Sequence, residues 1–488
     1  MSNETGDRLV PPDTPTDLFI GGQWRPAAGG RQMPVFDPAT AQPFATVADG
    51  SDVDALAALD AAAAAQRDWA RRAPRQRGEI LRRSFEAMIA RQDDLARLIT
   101  AEMGKPLAES RAEVLYAAEF LRWFSEEAVR LDGRWSVAPE GGSRLVTMLQ
   151  PVGPCYLILP WNVPLAMATR KIGPALAAGC TAVVKPAAQT PLSLNLLAVL
   201  MTAAGLPPGV LNIVATSDPA PVTDALMGDP RLRKMSFTGS TPVGRELARQ
   251  AAGNLLRFSM ELGGNAPFIV FEDADIGQAA REAMTAKLRN NGEACTAANR
   301  FLVHRSVAGD FAEALRTRFA DLVVGPGLRP DVTLGPLINR QAVARIDALV
   351  RDAVAGGASL LYRGKVPDGD GHYYPPTILG DVPPDARIVT EEIFGPVAPI
   401  VSFDTEDEVL AIANRSAVGL ASYVFTRDLD RALRVSEALE VGMVGLNRGI
   451  LSNPAAPFGG VKASGYGREG GAEGIAEYVE VKYLALSA

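Results

Sequence analysis

The chain has 488 residues and a formal charge of −7, from 49 lysines and arginines against 56 aspartates and glutamates. That length exceeds a single core and implies about three domains or subdomains, while the acidic balance excludes a general nucleic-acid or anionic-membrane surface. Cys155, Cys180 and Cys295 are too widely spaced for a CxxC pattern, and only His304 and His372 are present. A metal site, a disulfide framework or a Ser-His triad therefore has little to be built from, and chemistry falls to Cys, Glu and Lys.

Residues 1–15 are polar and proline-containing without an apolar h-region, which reads as a loose leader rather than a signal peptide. Each long apolar stretch is broken by charge or proline, so a cytoplasmic protein without a membrane partner is expected. From 51 to about 130 the pattern is helical. Ser51 with Asp54 forms an N-terminal capping signal, an alanine-rich run follows, Gly104-Lys105-Pro106 ends one long helix, and a second runs through Phe120 and Trp123.

Past Gly142 short apolar runs begin: 144–149 and 155–159, joined across Pro151, Gly153 and Pro154 as strands around a tight connection. A β-α alternation then sets in. Strands are expected at 155–159, 181–184, 211–214, 233–237 and 256–260, with helices ending at Gly179 and spanning 192–204 and 243–252. Such alternation means a parallel sheet covered on both faces, with ligands beyond the carboxyl ends of its strands. Asn162, Lys185, Thr238-Gly239-Ser240 and Glu261 each follow one of these strands and should share one rim. A second mixed region runs from about 267 to 458, with a strand at 268–271, a helix to about 291 and a loop bearing Cys295. The tail at 477–486 reads as a strand able to pair with another chain or with the 144–149 strand of a neighbour.

Cys295 and Glu261 both lie in glycine-punctuated segments suited to loops, as a thiol nucleophile and the base that activates water would. A cysteine in such a chain also serves as an inert core residue. Gly239 to Gly244 follows a strand and opens a helix, a setting for a pyrophosphate or for a plain strand-to-helix turn. Lys185 could meet an adenosine ribose or stay solvated. Asn162, near two prolines, could donate to an oxyanion or close an Asx-turn.

Seven motifs in order carry a resemblance: Pro160-Trp161-Asn162, Lys185-Pro186, Phe237-Thr238-Gly239-Ser240, Glu261-Leu262-Gly263-Gly264-Asn265, Gly292 with Cys295, Glu391-Glu392-Ile393-Phe394-Gly395-Pro396-Val397, and Pro457-Phe458-Gly459-Gly460-Val461-Lys462-Ala463-Ser464-Gly465. Together the sequence from about Leu18 onward resembles the NAD(P)-dependent aldehyde dehydrogenase superfamily, and Met167-Ala168-Thr169-Arg170-Lys171, Leu288-Arg289-Asn290 and Arg448-Gly449-Ile450-Leu451-Ser452-Asn453 liken it within that superfamily to the succinate-semialdehyde dehydrogenases. The resemblance implies an α/β aldehyde dehydrogenase-like fold. Its parts would be a Rossmann-type dinucleotide domain (1–130 and 152–262), a catalytic domain (263–463) and a β oligomerisation element (131–151 and 464–488) making a homodimer or homotetramer.

By the same resemblance Cys295 is the nucleophile, Glu261 the general base, Asn162 with the Cys295 N–H the oxyanion site, and Lys171 a proton-relay partner. Pro160, Trp161, Lys185, Ala188, Thr238, Gly239, Ser240, Gly244, Leu262, Glu392 and Phe394 would surround the cofactor. Arg170, Arg289 and Ser452 would hold the distal carboxylate of the substrate, a task suited to arginine's fork; otherwise the two arginines are solvated helix-face residues. The chain departs from many relatives at Val163, at Glu293 and at Ala297, where some relatives keep a second cysteine. Ala188 replaces the Glu that NAD-preferring relatives use on the ribose, so NADP is favoured over NAD. The resemblance thus implies NAD(P)-dependent oxidation of succinate semialdehyde to succinate; a dehydrogenase for another (semi)aldehyde, a cofactor-free Cys-Glu-Lys hydrolase and a non-catalytic scaffold are the rival readings.

Overall fold

The computed structural model describes residues 9–487, so the first part of the expected leader, 1–8, lies outside the described residues. Residues 9–15 are not loose: Pro11 and Thr14 are buried. The helical stretch after Ser51 is four helices rather than two, Asp52–Arg71, Pro74–Ala90, Gln92–Met103 and Leu107–Glu127. Pro74 divides the first pair, because proline cannot donate an intrahelical hydrogen bond and fits only a first turn. The Ser51 cap forms as expected, its N–H donating to Asp54 Oδ2 at 3.0 Å. Gly104 closes the third helix in the left-handed region at φ 93°.

An eight-stranded sheet forms around the alternation. Its parallel centre runs Leu211–Ile213, Ala182–Lys185, Cys155–Ile158, Lys234–Thr238 and Arg257–Glu261 in spatial order. The middle three strands are wholly buried, which is why they read as unbroken apolar runs. Strand order reverses between Cys155–Ile158 and Lys234–Thr238, so the crevice expected at a topological switch point opens beyond these two strands. The edge beside Glu261 is closed by Gly465–Tyr466, which pairs antiparallel with Glu261 opposite Gly465.

A seven-stranded sheet holds the second region, with Ala266–Val270, Ala298–His304 and Val397–Phe403 at its middle. The third sheet is three-stranded: Val479–Ser487, Ser143–Pro151 and Arg134–Val137. Two expectations change here. The strands on either side of Pro151–Pro154 belong to different sheets and are not paired with each other, and the tail pairs with its own chain's Ser143–Pro151 over nine residues, from Val479 opposite Pro151 to Ser487 opposite Ser143. Among the described residues no helix is long and apolar enough to cross a membrane.

Candidate active site

Register in the first sheet places the expected rim residues side by side. Ile158 lies opposite Lys185 and Phe237, and Thr238 lies opposite Glu261, so the turns that follow these strands project together. They form one wall of a cavity of about 1110 Å³, to which Pro160, Trp161, Asn162, Thr238, Gly239 and Ser240 all contribute. The opposite wall comes from the second region: Cys295 and Thr296 stand just before Ala298–His304, and Glu392 and Phe394 just before Val397–Phe403. The carboxyl-end rule therefore locates half the site, and the thiol arrives from the amino ends of the other sheet.

The two halves touch at Gly264. A Cβ there would stand 2.2 Å from the Cys295 carbonyl oxygen, so only glycine lets the Glu261 turn lie against the thiol's loop. Glu392 reinforces the contact by accepting from Gly264 N at 3.1 Å.

The helix expected to reach about 291 stops at Leu288, because Asn290 (φ 60°) and Asn291 (φ 58°) turn left-handed, followed by Gly292 at φ 77°. Asparagine tolerates that region better than other non-glycine residues, and three consecutive such residues need outside support. They have it: Glu109 accepts from Asn290 N, Asn291 Nδ2 donates to Pro336 O at 2.9 Å, and Asn291 Oδ1 accepts from Gly335 N at 2.8 Å. The Glu293 carbonyl then accepts from both Asn162 Nδ2 (2.9 Å) and Asn290 Nδ2 (2.8 Å), tying the expected oxyanion donor to the nucleophile's own loop.

Cys295 is half-buried on the cavity wall. Burial pushes its thiol up to about 12, with the Arg170 charge pulling the other way. Glu261 is buried and its carboxyl is held well above the ordinary range, first by burial and then by the negative Glu469, against Lys171, Arg170 and Arg468. Sequence reasoning missed Glu469. It sits 298 positions from Lys171, yet accepts from its Nζ, and lies 3.6 Å from Arg170. One oxygen each of Glu261 and Glu469 has no hydrogen-bond partner among the described residues.

Arg170 is 1% exposed, which rules out a solvated helix face for it. Its guanidinium lies 4.1 Å from the Phe458 ring centroid and donates to the Tyr116 hydroxyl. Arg289, Ser452 and Leu262 line the same cavity. Four expected residues do not. Lys171 is fully buried behind the wall, held by Glu469 and by Ser236 Oγ at 2.9 Å. Gly244 lies beneath Leu262, whose side chain a Cβ would meet at 2.4 Å. Lys185 is 8% exposed, donates to Pro186 O and is lowered by burial to about 8, and Ala188 packs against the core.

Residues 24–484 match the aldehyde dehydrogenase family. The chain belongs to that family. Among aldehyde dehydrogenases, a succinate-semialdehyde dehydrogenase of Paenarthrobacter nicotinovorans is 57% identical over 444 residues, 91% of this chain and 99% of the relative. A glutarate-semialdehyde dehydrogenase of Pseudomonas putida is 48% identical over 469 residues, 96% of this chain and 97% of its own length. The crystal structure of a succinate-semialdehyde dehydrogenase from Burkholderia pseudomallei superposes with a TM-score of 0.96 at 45% identity, covering 100% of both chains. As an aldehyde dehydrogenase, this protein is an NAD(P)-dependent oxidoreductase with an aldehyde substrate.

The residues fit a nicotinamide dinucleotide. Helix Thr241–Gly253 points its amino end at the cleft, where aligned backbone N–H groups suit a pyrophosphate, and the buried Thr238 Oγ1 has no partner among the described residues. Gly239 admits no Cβ, which would meet the Phe237 ring at 2.4 Å. Trp161 and Phe394 meet edge to face across the cleft at 5.6 Å.

Proposed function

We propose that this aldehyde dehydrogenase oxidises succinate semialdehyde to succinate, with NADP as the preferred cofactor. The observation that carries the reading is the almost fully buried guanidinium of Arg170 on the cavity wall, with Arg289 and Ser452 on the same surface. A buried cation facing a cavity favours a substrate that brings its own carboxylate there. Relatives bearing succinate-semialdehyde and glutarate-semialdehyde dehydrogenase names at 47–57% identity support the same substrate class. Ala188 supplies no carboxylate to repel a 2′-phosphate, which supports NADP.

In this reading the aldehyde's distal carboxylate is held by Arg170 and Arg289, which sets its carbonyl against Cys295. The sulfur, once deprotonated, adds to that carbonyl, and the oxyanion is met by the Asn162 amide and the Cys295 N–H. When bound, the dinucleotide supplies the hydride acceptor for oxidation of this adduct. Glu261 then takes a proton from water, which releases the acid from the Cys295 thioester. Lys171, with Glu469 as its partner, would pass that proton on. The exposed three-stranded sheet makes a homodimer or homotetramer, and the protein works in the cytoplasm.

The test compares kcat/KM for succinate semialdehyde, glutarate semialdehyde and butanal, each with NADP and NAD. The carboxylated aldehydes should exceed butanal by about 100-fold, and Arg170→Met should remove most of that preference, slowing butanal as well because the same charge lowers the Cys295 thiol, but slowing the carboxylated aldehydes far more. Equal rates for butanal and succinate semialdehyde would sink the substrate assignment, and a higher rate with glutarate semialdehyde would move it one methylene longer.

A further inference from the structure

Lys105, in the Gly104-Lys105-Pro106 helix stop, is 2% exposed and lines the active-site cavity. Its Nζ donates to the Glu113 carboxylate and, at 3.1 Å, to the main-chain carbonyl of Asn162. Glu113 is equally buried, and its Oε1 accepts from Leu165 N at 2.9 Å and Ala166 N at 3.2 Å. Those are first-turn amides of helix Pro164–Ala178, which carries Arg170 and Lys171. The Lys105 backbone is clamped in turn: Leu107 N donates to Gly327 O at 2.8 Å, and a Cβ on Gly327 would lie 2.4 Å from Lys105 O.

Asn162 is thus gripped at two points. Its side chain gives one N–H to Glu293 O, and its carbonyl is fixed by a charge. A carboxamide has a second N–H, whose direction follows from where the backbone of residue 162 is held. Resting on the aldehyde-oxidation reading, we propose that Lys105 is a positioning residue. Its ammonium, oriented by Glu113, pins the Asn162 carbonyl so that the free amide N–H is aimed at the developing oxyanion. An apolar side chain of similar volume would fill the same space with less desolvation, so the retained ion pair is accounted for by the direction it imposes.

The experiment is a double-mutant cycle on the full-length enzyme. Lys105→Met/Glu113→Gln removes both charges together, leaving no unpaired buried ion, and the glutamine can still accept from the 165 and 166 amides. Lys105→Met alone is the second variant, and each is made with and without Asn162→Ala. Turnover is read in two assays. One is reduction of NADP by succinate semialdehyde. The other is hydrolysis of p-nitrophenyl acetate, in which the ester acylates Cys295 with loss of p-nitrophenol and water then releases acetate.

The expected result is a kcat lower by about 10- to 100-fold with KM within about threefold, the size of a misaimed oxyanion donor. In the Asn162→Ala background the same change should cost less than about threefold, because the partner it acts through is gone. A full loss recurring in that background, or a loss carried by KM, would overturn the proposal. Ester hydrolysis needs neither dinucleotide nor distal carboxylate, so a wild type that cleaves ester without reducing cofactor refutes the dehydrogenase reading alone, and the cycle is still read in the ester assay.

Discussion

Glu261 and Glu469 show how charge around a base is apportioned. Both are buried, and Glu469 raises the Glu261 carboxyl while Lys171 and Arg170 oppose it. A base whose pKa is raised is ionised, and so able to deprotonate water, only above that raised value. The acid release step should therefore weaken as pH falls through it. Glu469→Gln removes the negative neighbour and leaves Lys171 and Arg170 less compensated, and both effects favour the Glu261 carboxylate. The acid limb of the kcat profile should move to lower pH in this variant. An unmoved or alkaline-shifted limb in steady-state rates would show that Glu469 does not act on the base. The thiol carries the same problem, since burial lifts it to about 12 and Arg170 is the first cationic group to offset this.

The segment from Asn290 to Gly292 is the element on which the nucleophile's position depends. Asn291 holds φ 58° and spends its side chain on Pro336 O and Gly335 N. Asn291→Ala loses both hydrogen bonds and places a Cβ residue without local compensation in the left-handed region, which together cost about 2–4 kcal/mol. Denaturant titration should register that loss, and kcat should fall by at least about tenfold as the Cys295 loop relaxes. Wild-type stability with wild-type turnover would mean that the loop is held by its neighbours alone. The Glu109 carboxylate on Asn290 N is a similar brace, and so is Tyr423, whose hydroxyl donates to Thr296 O at 2.8 Å.

Across the entire chain, the parts legible beforehand were those with local signals. Strand-to-helix alternation gave the first sheet, because its strands are buried on both faces and read as apolar runs. Cys295, Glu261, Asn162, Ser240 and Glu392 lie in short motifs and do share one cavity. Lys105, Glu113, Tyr116 and Glu469 were not legible in the same way. Apart from the Lys105–Glu113 pair itself, their partners are 52 to 298 positions away, and neither periodicity nor turn chemistry records such pairing. The tail's partner was ambiguous for the reverse reason: a strand pattern names no partner chain. In the fold it pairs with its own Ser143–Pro151, and the sheet still leaves Trp135 (67% exposed), Val481 (67%) and Tyr483 (58%) uncovered. A second subunit is the occupant proposed for this surface. Val481→Glu combined with Tyr483→Glu should lower the mass measured by light scattering to that of the monomer, 51.6 kDa. An oligomer of unchanged mass would place the interface elsewhere.

The pairing of Gly465 beside Glu261, with Phe458 and Glu469 bridged to each other next to it, sets an order of events during synthesis. The nucleophile, the base and the dinucleotide crevice are all translated long before residues 465–469 leave the ribosome. Until then the last parallel strand has a bare edge, and Lys171 has no carboxylate to meet. Catalytic competence should thus come late, with the clasp formed by residues 465–469, and a chain ended before Gly465 should not turn over aldehyde.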